Sequence, residues 1–228
     1  IDTWSAARFA DAGVRLHEVN VGGGMSVNYA DPNRLFDWTE YGAGMAELLH
    51  DRPGLTLRIE PGRAVTAYSG WYATEVLDVK PSHGREFAVV CGGTHHLRTP
   101  ATKGHDQPCA ILPVDDWEHP WPRQGAAGNQ VDLVGQLCTP KDTLSRDVPA
   151  PRPLRVGDRV AFAMAGAYAW NISHHEFLMH PQPTFHYVRS QPAAEATASR
   201  PQRPPTPEAD PAHLNGYGEV HGRTCAAD

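Results

Sequence analysis

No stretch of the 228 residues approaches the uninterrupted apolar run, about 20 residues long, that a membrane-spanning helix needs. The opening residues, IDTWSAARFADAG, lack a basic segment followed by an apolar core and so do not read as a secretory signal; they also lack an initiator methionine. Basic charge is scarce. With 20 Lys+Arg against 26 Asp+Glu the formal net charge is −6, and no nucleic-acid partner is expected, because phosphate binding needs a concentrated basic face. Lysine occurs only as Lys80, Lys103 and Lys141. The four cysteines, Cys91, Cys109, Cys138 and Cys225, include no CxxC pair, which argues against a zinc ribbon or a disulfide framework and for reduced thiols in a cytoplasmic protein. The remaining composition, 40% hydrophobic and 20% charged, is that of a globular chain able to bury one large core or two small ones.

The periodicity predicts a helix over Thr3–Ala12 stopped by Gly13, then a strand over Val14–Val21 that runs into Gly22-Gly23-Gly24. A second helix carries Tyr41, Met45, Leu48 and Leu49 on one face and ends near Pro53-Gly54. The next strand, Leu55–Ile59, runs into Glu60-Pro61-Gly62-Arg63. This is the repeat of a parallel α/β architecture, entered in mid-repeat, and it leads us to expect a chain cut from something longer. From Val65 the pattern changes to strands separated by Pro/Gly/His-rich turns: Trp71–Lys80, Glu86–Cys91, Cys109–Val114, Val131–Cys138, Arg159–Met164 and Thr184–Val188. The expected division is residues 1–64, α/β; 65–188, a mainly antiparallel β domain; and 189–228, a Pro-rich disordered tail.

Three glycines at a strand end permit backbone geometry closed to other residues and present N–H groups to an anion, although alone they could be a simple turn. A second loop with Gly62-Arg63 at the end of the adjacent strand favours phosphate binding, since paired loops of this kind hold phosphate in βα barrels. Glu60 and Arg63 could equally form a surface ion pair of little energetic value. Other patterns fail. Gly42-Ala43-Gly44-Met45-Ala46-Glu47 has Glu where a dinucleotide fingerprint needs its third Gly, and His175-Glu176 with His180 is one residue too long for an HExxH zinc helix. His95-His96 and His174-His175 leave open a metal site with Cys91 or Cys138, beside the commoner reading of histidines in a polar network.

Four landmarks in order, Val21-Gly22-Gly23-Gly24, Glu60-Pro61-Gly62-Arg63, Leu137-Cys138-Thr139-Pro140-Lys141-Asp142 and Ala165-Gly166-Ala167-Tyr168, resemble the ornithine/diaminopimelate decarboxylase family. That family is dependent on pyridoxal 5′-phosphate (PLP) and has an alanine-racemase-like (βα)8 barrel followed by a β domain. The resemblance is closest to the branch serving siderophore biosynthesis, through Gly92-Gly93-Thr94-His95-His96, Ile111-Leu112-Pro113-Val114-Asp115 and Ser173-His174-His175-Glu176-Phe177. It implies the C-terminal remnant of a PLP-binding barrel followed by a β domain. Two βα units cannot close a barrel, so exposed apolar surface is expected on them.

The resemblance further implies a role for each matching residue. Gly22, Gly23, Gly24, Gly62, Arg63 and Tyr168 would hold the phosphate, and Glu60 would face the pyridine nitrogen. Arg98 would take a substrate carboxylate. Cys138, as proton donor, and Asp142, as substrate contact, would enter the partner's active site in a homodimer with shared sites. The lysine that anchors the cofactor in the family has no counterpart among Lys80, Lys103 and Lys141, so this chain alone is expected to be inactive. The implied activity is decarboxylation of an amino acid, with a citrate-linked diamino acid as the first expectation and meso-diaminopimelate as the second. A non-catalytic relative that binds intact decarboxylase subunits and a metal-binding β domain are the alternatives.

Overall fold

The computed structural model describes residues 2–98, 100 and 104–188; the expected disordered tail, 189–228, lies outside the described residues. The chain divides into two units, residues 1–180 and 181–228. Within the second, 181–188 have no regular secondary structure.

The first unit opens with α1 (Asp2–Asp11), β1 (Glu18–Asn20), α2 (Trp38–His50), β2 (Thr56–Arg58) and the single turn α3 (Arg63–Thr66). Gly13, at φ +70°, ends α1 in the left-handed conformation that glycine adopts most readily. Asp37 caps α2, its carboxylate accepting from the backbone N–H groups of Thr39 and Glu40 at 2.9 Å each. β1 and β2 pair in parallel, with Val19 opposite Leu57. Tyr41, Met45 and Leu49 share one half-buried face of α2, as their spacing requires, but no residue of the helix is fully buried. Val14, Val21 and Leu48 are exposed, as expected of two βα units without a closed barrel around them.

The rest of the unit is a six-stranded sheet: β3 (Tyr72–Ser82), β4 (Arg85–Val90), β5 (Cys109–Leu112), β6 (Gln130–Val134), β7 (Thr143–Pro149) and β8 (Arg159–Phe162), in the order β5-β8-β3-β4-β6-β7. Every neighbouring pair is antiparallel except β4 and β6. β3 and β4 meet through His83-Gly84, both at positive φ, the two-residue turn whose twist matches that of its strands. Val76, Val90, Leu97, Leu133, Leu144, Leu154, Val160 and Phe162 are fully buried and form the core beneath the sheet.

The structure shortens the expected strands Val14–Val21 and Val131–Cys138 to Glu18–Asn20 and Gln130–Val134, and it corrects the expected set outright in two places. β7 was not among them: its buried Leu144 and Ser145 are adjacent, Asp147 has φ +49°, and Pro149 closes it, so the two-residue alternation is broken. Thr184–Val188 alternates but is not a strand, and Tyr187 and Val188 are 92% exposed. Alternation marks a strand only where a sheet edge takes up its backbone hydrogen bonds.

Candidate active site

The two glycine-bearing loops lie side by side because β1 and β2 are parallel neighbours. Their ladder continues past the strand ends, with Val21 N–H donating to the Arg58 carbonyl (2.9 Å) and Glu60 N–H to the Gly22 carbonyl (2.8 Å). The loops approach so closely that a Cβ on Gly23 would lie 2.7 Å from the Glu60 carbonyl oxygen. Gly22 and Gly24 have φ of +73° and +97°. The strand end thus needs glycine at 22 and 24 for conformation and at 23 for space.

Gly62 meets Tyr168, which comes from the far end of the chain: a Cβ on Gly62 would lie 2.5 Å from the Tyr168 hydroxyl. The Arg63 guanidinium carbon lies 4.9 Å from the Tyr168 ring centroid and 5.7 Å from that of Tyr29, close enough for cation–π attraction. Arg63 Nε is buried with no hydrogen-bond partner among the described residues. Gly22–Gly24, Glu60, Gly62, Arg63 and Tyr168, far apart in sequence, therefore share one cradle. Its backbone N–H groups, its guanidinium and its phenol form a donor set suited to a phosphate, and a Cβ at Gly22 or Gly24 would meet nothing within 4 Å, which leaves room for a group seated on backbone.

A second cluster forms where β6 turns into β7. The expected strand to Cys138 ends earlier, at Val134, so Cys138 stands exposed on a tight turn closed by Asp142 N–H donating to the Thr139 carbonyl at 3.0 Å. Asp142 is 2% exposed. Its Oδ1 accepts from the Thr94 N–H (2.6 Å) and the Thr94 hydroxyl (2.8 Å), and its Oδ2 from the Leu137 N–H (2.8 Å). Gly93 and Gly135 pack directly on this carboxylate, where any Cβ would collide with it. The carboxylate expected to touch substrate is therefore committed to its own chain, tying the Gly93-Thr94 loop to the segment that carries Cys138.

The loop after Thr94 leads to His95, His96 and Arg98. Arg98 N–H donates to the Ala169 carbonyl at 3.4 Å, linking this loop to the segment of Tyr168, and Arg98 Nη1 lies 3.3 Å from His174 Nδ1. His96 Nδ1 lies 3.0 Å from the hydroxyl of Tyr72, whose pKa burial pushes up. His95 is fully buried, between His96 (ring centroids 4.1 Å apart) and His180 (5.1 Å). Burial, reinforced by the charges of His96, His180 and His174, pushes its pKa down to about 3. Burial and Arg98 also lower the pKa of His174. Among the described residues no three His, Cys, Asp or Glu side chains are grouped to hold a metal ion; His174 lies against Arg98 and His96 against Tyr72, while both ring nitrogens of His95 are buried without a hydrogen-bond partner among the described residues.

Two residues given no role in the sequence expectations belong to these clusters. Thr94 supplies both donors to Asp142 Oδ1. Asn20 donates through Nδ2 to Glu60 Oε1 at 2.6 Å and accepts the Gly22 N–H at 2.8 Å. The one sequence signal for Asn20 was an amide two residues before the first glycine, where such side chains bond their own backbone.

Residues 30–166 match the family described as the C-terminal sheet domain of pyridoxal-dependent decarboxylases. The chain is 40% identical over 175 residues to the 2-[(L-alanin-3-ylcarbamoyl)methyl]-2-hydroxybutanedioate decarboxylase of Staphylococcus aureus, covering 76% of this chain and 44% of that protein. It is 32% identical to the L-glutamyl-[BtrI acyl-carrier protein] decarboxylase of Niallia circulans, covering 75% of this chain and 41% of that one. The crystal structure of Helicobacter pylori diaminopimelate decarboxylase complexed with L-lysine superposes with a TM-score of 0.61 at 26% identity, covering 78% of this chain and 41% of that one. The chain thus spans less than half the length of these relatives. No helix among the described residues is long and apolar enough to cross a membrane. By the match over most of its sheet and by the fold itself, the chain belongs to the pyridoxal-dependent decarboxylase family, through that family's C-terminal sheet domain.

Proposed function

We propose that residues 1–228 form the phosphate-binding, ring-binding and substrate-facing part of a PLP-dependent amino-acid decarboxylase of the cytoplasm, acting on a citrate-linked diamino acid in siderophore biosynthesis. The observation that carries this reading is the meeting of Gly62, Arg63 and Tyr168 beside the Gly23–Glu60 contact. The substrate class rests on the 40% identity to the S. aureus protein. When bound, PLP supplies an electron sink for the pair left as CO₂ departs. The backbone N–H groups of Gly23 and Gly24, with Arg63 and the Tyr168 hydroxyl, bind its phosphate, and Gly22, whose N–H is taken by Asn20 Oδ1, shapes the turn that presents them. The Glu60 carboxylate holds a proton on the ring nitrogen. Arg98 takes a substrate carboxylate through its planar fork. The Cys138 thiol delivers a proton to the α-carbon, reaching the site of a second subunit across a homodimer interface. Asp142 positions Cys138 and the Thr94–Arg98 loop instead of touching substrate. None of the three lysines is assigned the anchoring role: Lys80 is exposed on the β3–β4 hairpin, Lys141 is exposed on the turn after Cys138, and Lys103 lies outside the described residues.

The test is CO₂ release by the chain complemented with the N-terminal portion of the S. aureus relative. Release from the citrate-linked compound and not from meso-diaminopimelate is expected. Release from diaminopimelate alone would replace the substrate. The exposure of Lys80 on its hairpin and of Lys141 on its turn also favours a second reading, a non-catalytic partner of intact decarboxylase subunits, which predicts no release and co-purification with a full-length homologue.

A further inference from the structure

Asn20, the last residue of β1, uses both ends of one side-chain amide: Nδ2 donates to Glu60 Oε1 at 2.6 Å, and Oδ1 accepts from the Gly22 N–H at 2.8 Å. We propose that Asn20 is a positioning residue that locks the triple-glycine turn and the Glu60 carboxylate into one frame, fixing the spacing between the phosphate end and the ring-nitrogen end of the cradle. This rests on the PLP reading above.

The backbone alone does not set that spacing. The ladder from Val21 to Arg58 and from Glu60 to Gly22 fixes the main chain of both loops, but Glu60 is an exposed side chain with several rotatable bonds. Immobilising such a side chain costs conformational entropy each time a ligand binds. A lone exposed hydrogen bond would do little to hold it. Here the donor is itself held, because its carbonyl end is anchored by Gly22, so one residue orders two loops. The position calls for a donor and an acceptor on one short planar group. Asparagine has both, whereas an ionised aspartate only accepts and a serine hydroxyl has a single oxygen for both jobs. The contact leaves Glu60 Oε2 without a hydrogen-bond partner among the described residues, the oxygen a ring N–H would need.

Two variants of the full chain separate the two arms. Asn20→Ala removes both bonds. Asn20→Asp keeps the acceptor for Gly22 but replaces the donor to Glu60 by a second carboxylate. With isotope-labelled protein and no ligand, Asn20→Ala should speed hydrogen exchange at the Gly22 amide about tenfold, the loss of a bond of ordinary strength, and should move the Glu60 carboxyl resonance. Asn20→Asp should leave Gly22 exchange within about twofold of wild type while still moving Glu60. PLP affinity, read from ring absorbance, should fall in both variants, whereas affinity for inorganic phosphate should fall in Asn20→Ala only. Unchanged Gly22 exchange in Asn20→Ala, or an unmoved Glu60 resonance in either variant, overturns the brace. Should Gly22 and Glu60 respond as expected while wild type binds no PLP, the brace stands and the cofactor reading falls.

Discussion

The hydroxyl of Tyr168 fills the space in which a side chain at residue 62 would begin, so that residues 106 positions apart in sequence meet at one point of the cradle. Tyr168 has φ +53°, and Arg63 lies against its ring. Gly62→Ala should therefore displace the phenol and lower PLP affinity about tenfold, with a stability cost of about 1–3 kcal/mol for overpacking. Tyr168→Phe should lower affinity with little effect on stability. Absorbance titration and urea unfolding of the two variants separate the effects.

Asp142 should govern stability through its buried hydrogen bonds. Asp142→Ala strands the Thr94 N–H, the Thr94 hydroxyl and the Leu137 N–H in a buried site, and the loss should reach about 3 kcal/mol or more. Asp142→Asn keeps the shape but must turn an NH₂ toward one of these donors, and should cost less. The urea midpoint measures both. A wild-type midpoint in Asp142→Ala would return the carboxylate to the role of substrate contact.

How much of this was legible in the sequence depended on how local the signal was. Gly22–Gly24 and Gly62-Arg63 could be read because each pairs a strand pattern with a loop chemistry within a few residues. The β3–β4 hairpin was legible for the same reason, through a Pro/Gly/His-rich turn between two strand patterns, although β3 runs on through Pro81 and Ser82. The hydrogen bonds of Asp142 were not, because spacing from Cys138 says nothing about which groups a carboxylate meets, and Thr94 lies 48 residues away. Nor was the Asn20–Glu60 bond legible, since it spans 40 residues and depends on the register of β1 against β2. β7 escaped because its irregular Asp147 and closing Pro149 hide a real pairing with β6.

His95 gives the protein an acid-sensitive step. Its ordinary value is 6.5, and in the folded chain it falls to about 3. As pH drops below 6.5 the unfolded chain takes up a proton that the folded chain refuses, so stability should decline between pH 6.5 and about 3. His174 contributes in the same direction. Asp115 and Asp132, held below 3.8 by Arg152 and Arg85, lose their contribution only at lower pH. Urea midpoints across this range should fall with pH in wild type and flatten in His95→Phe.

The central claim is that the paired loops of β1 and β2 hold the phosphate of PLP. It is tested most directly by the ³¹P resonance of PLP on addition of the full chain and of Gly23→Ala, whose new Cβ would press on the Glu60 carbonyl. A saturable shift is expected with wild type and little or none with the variant. No shift with either protein, or the same shift with both, would contradict it.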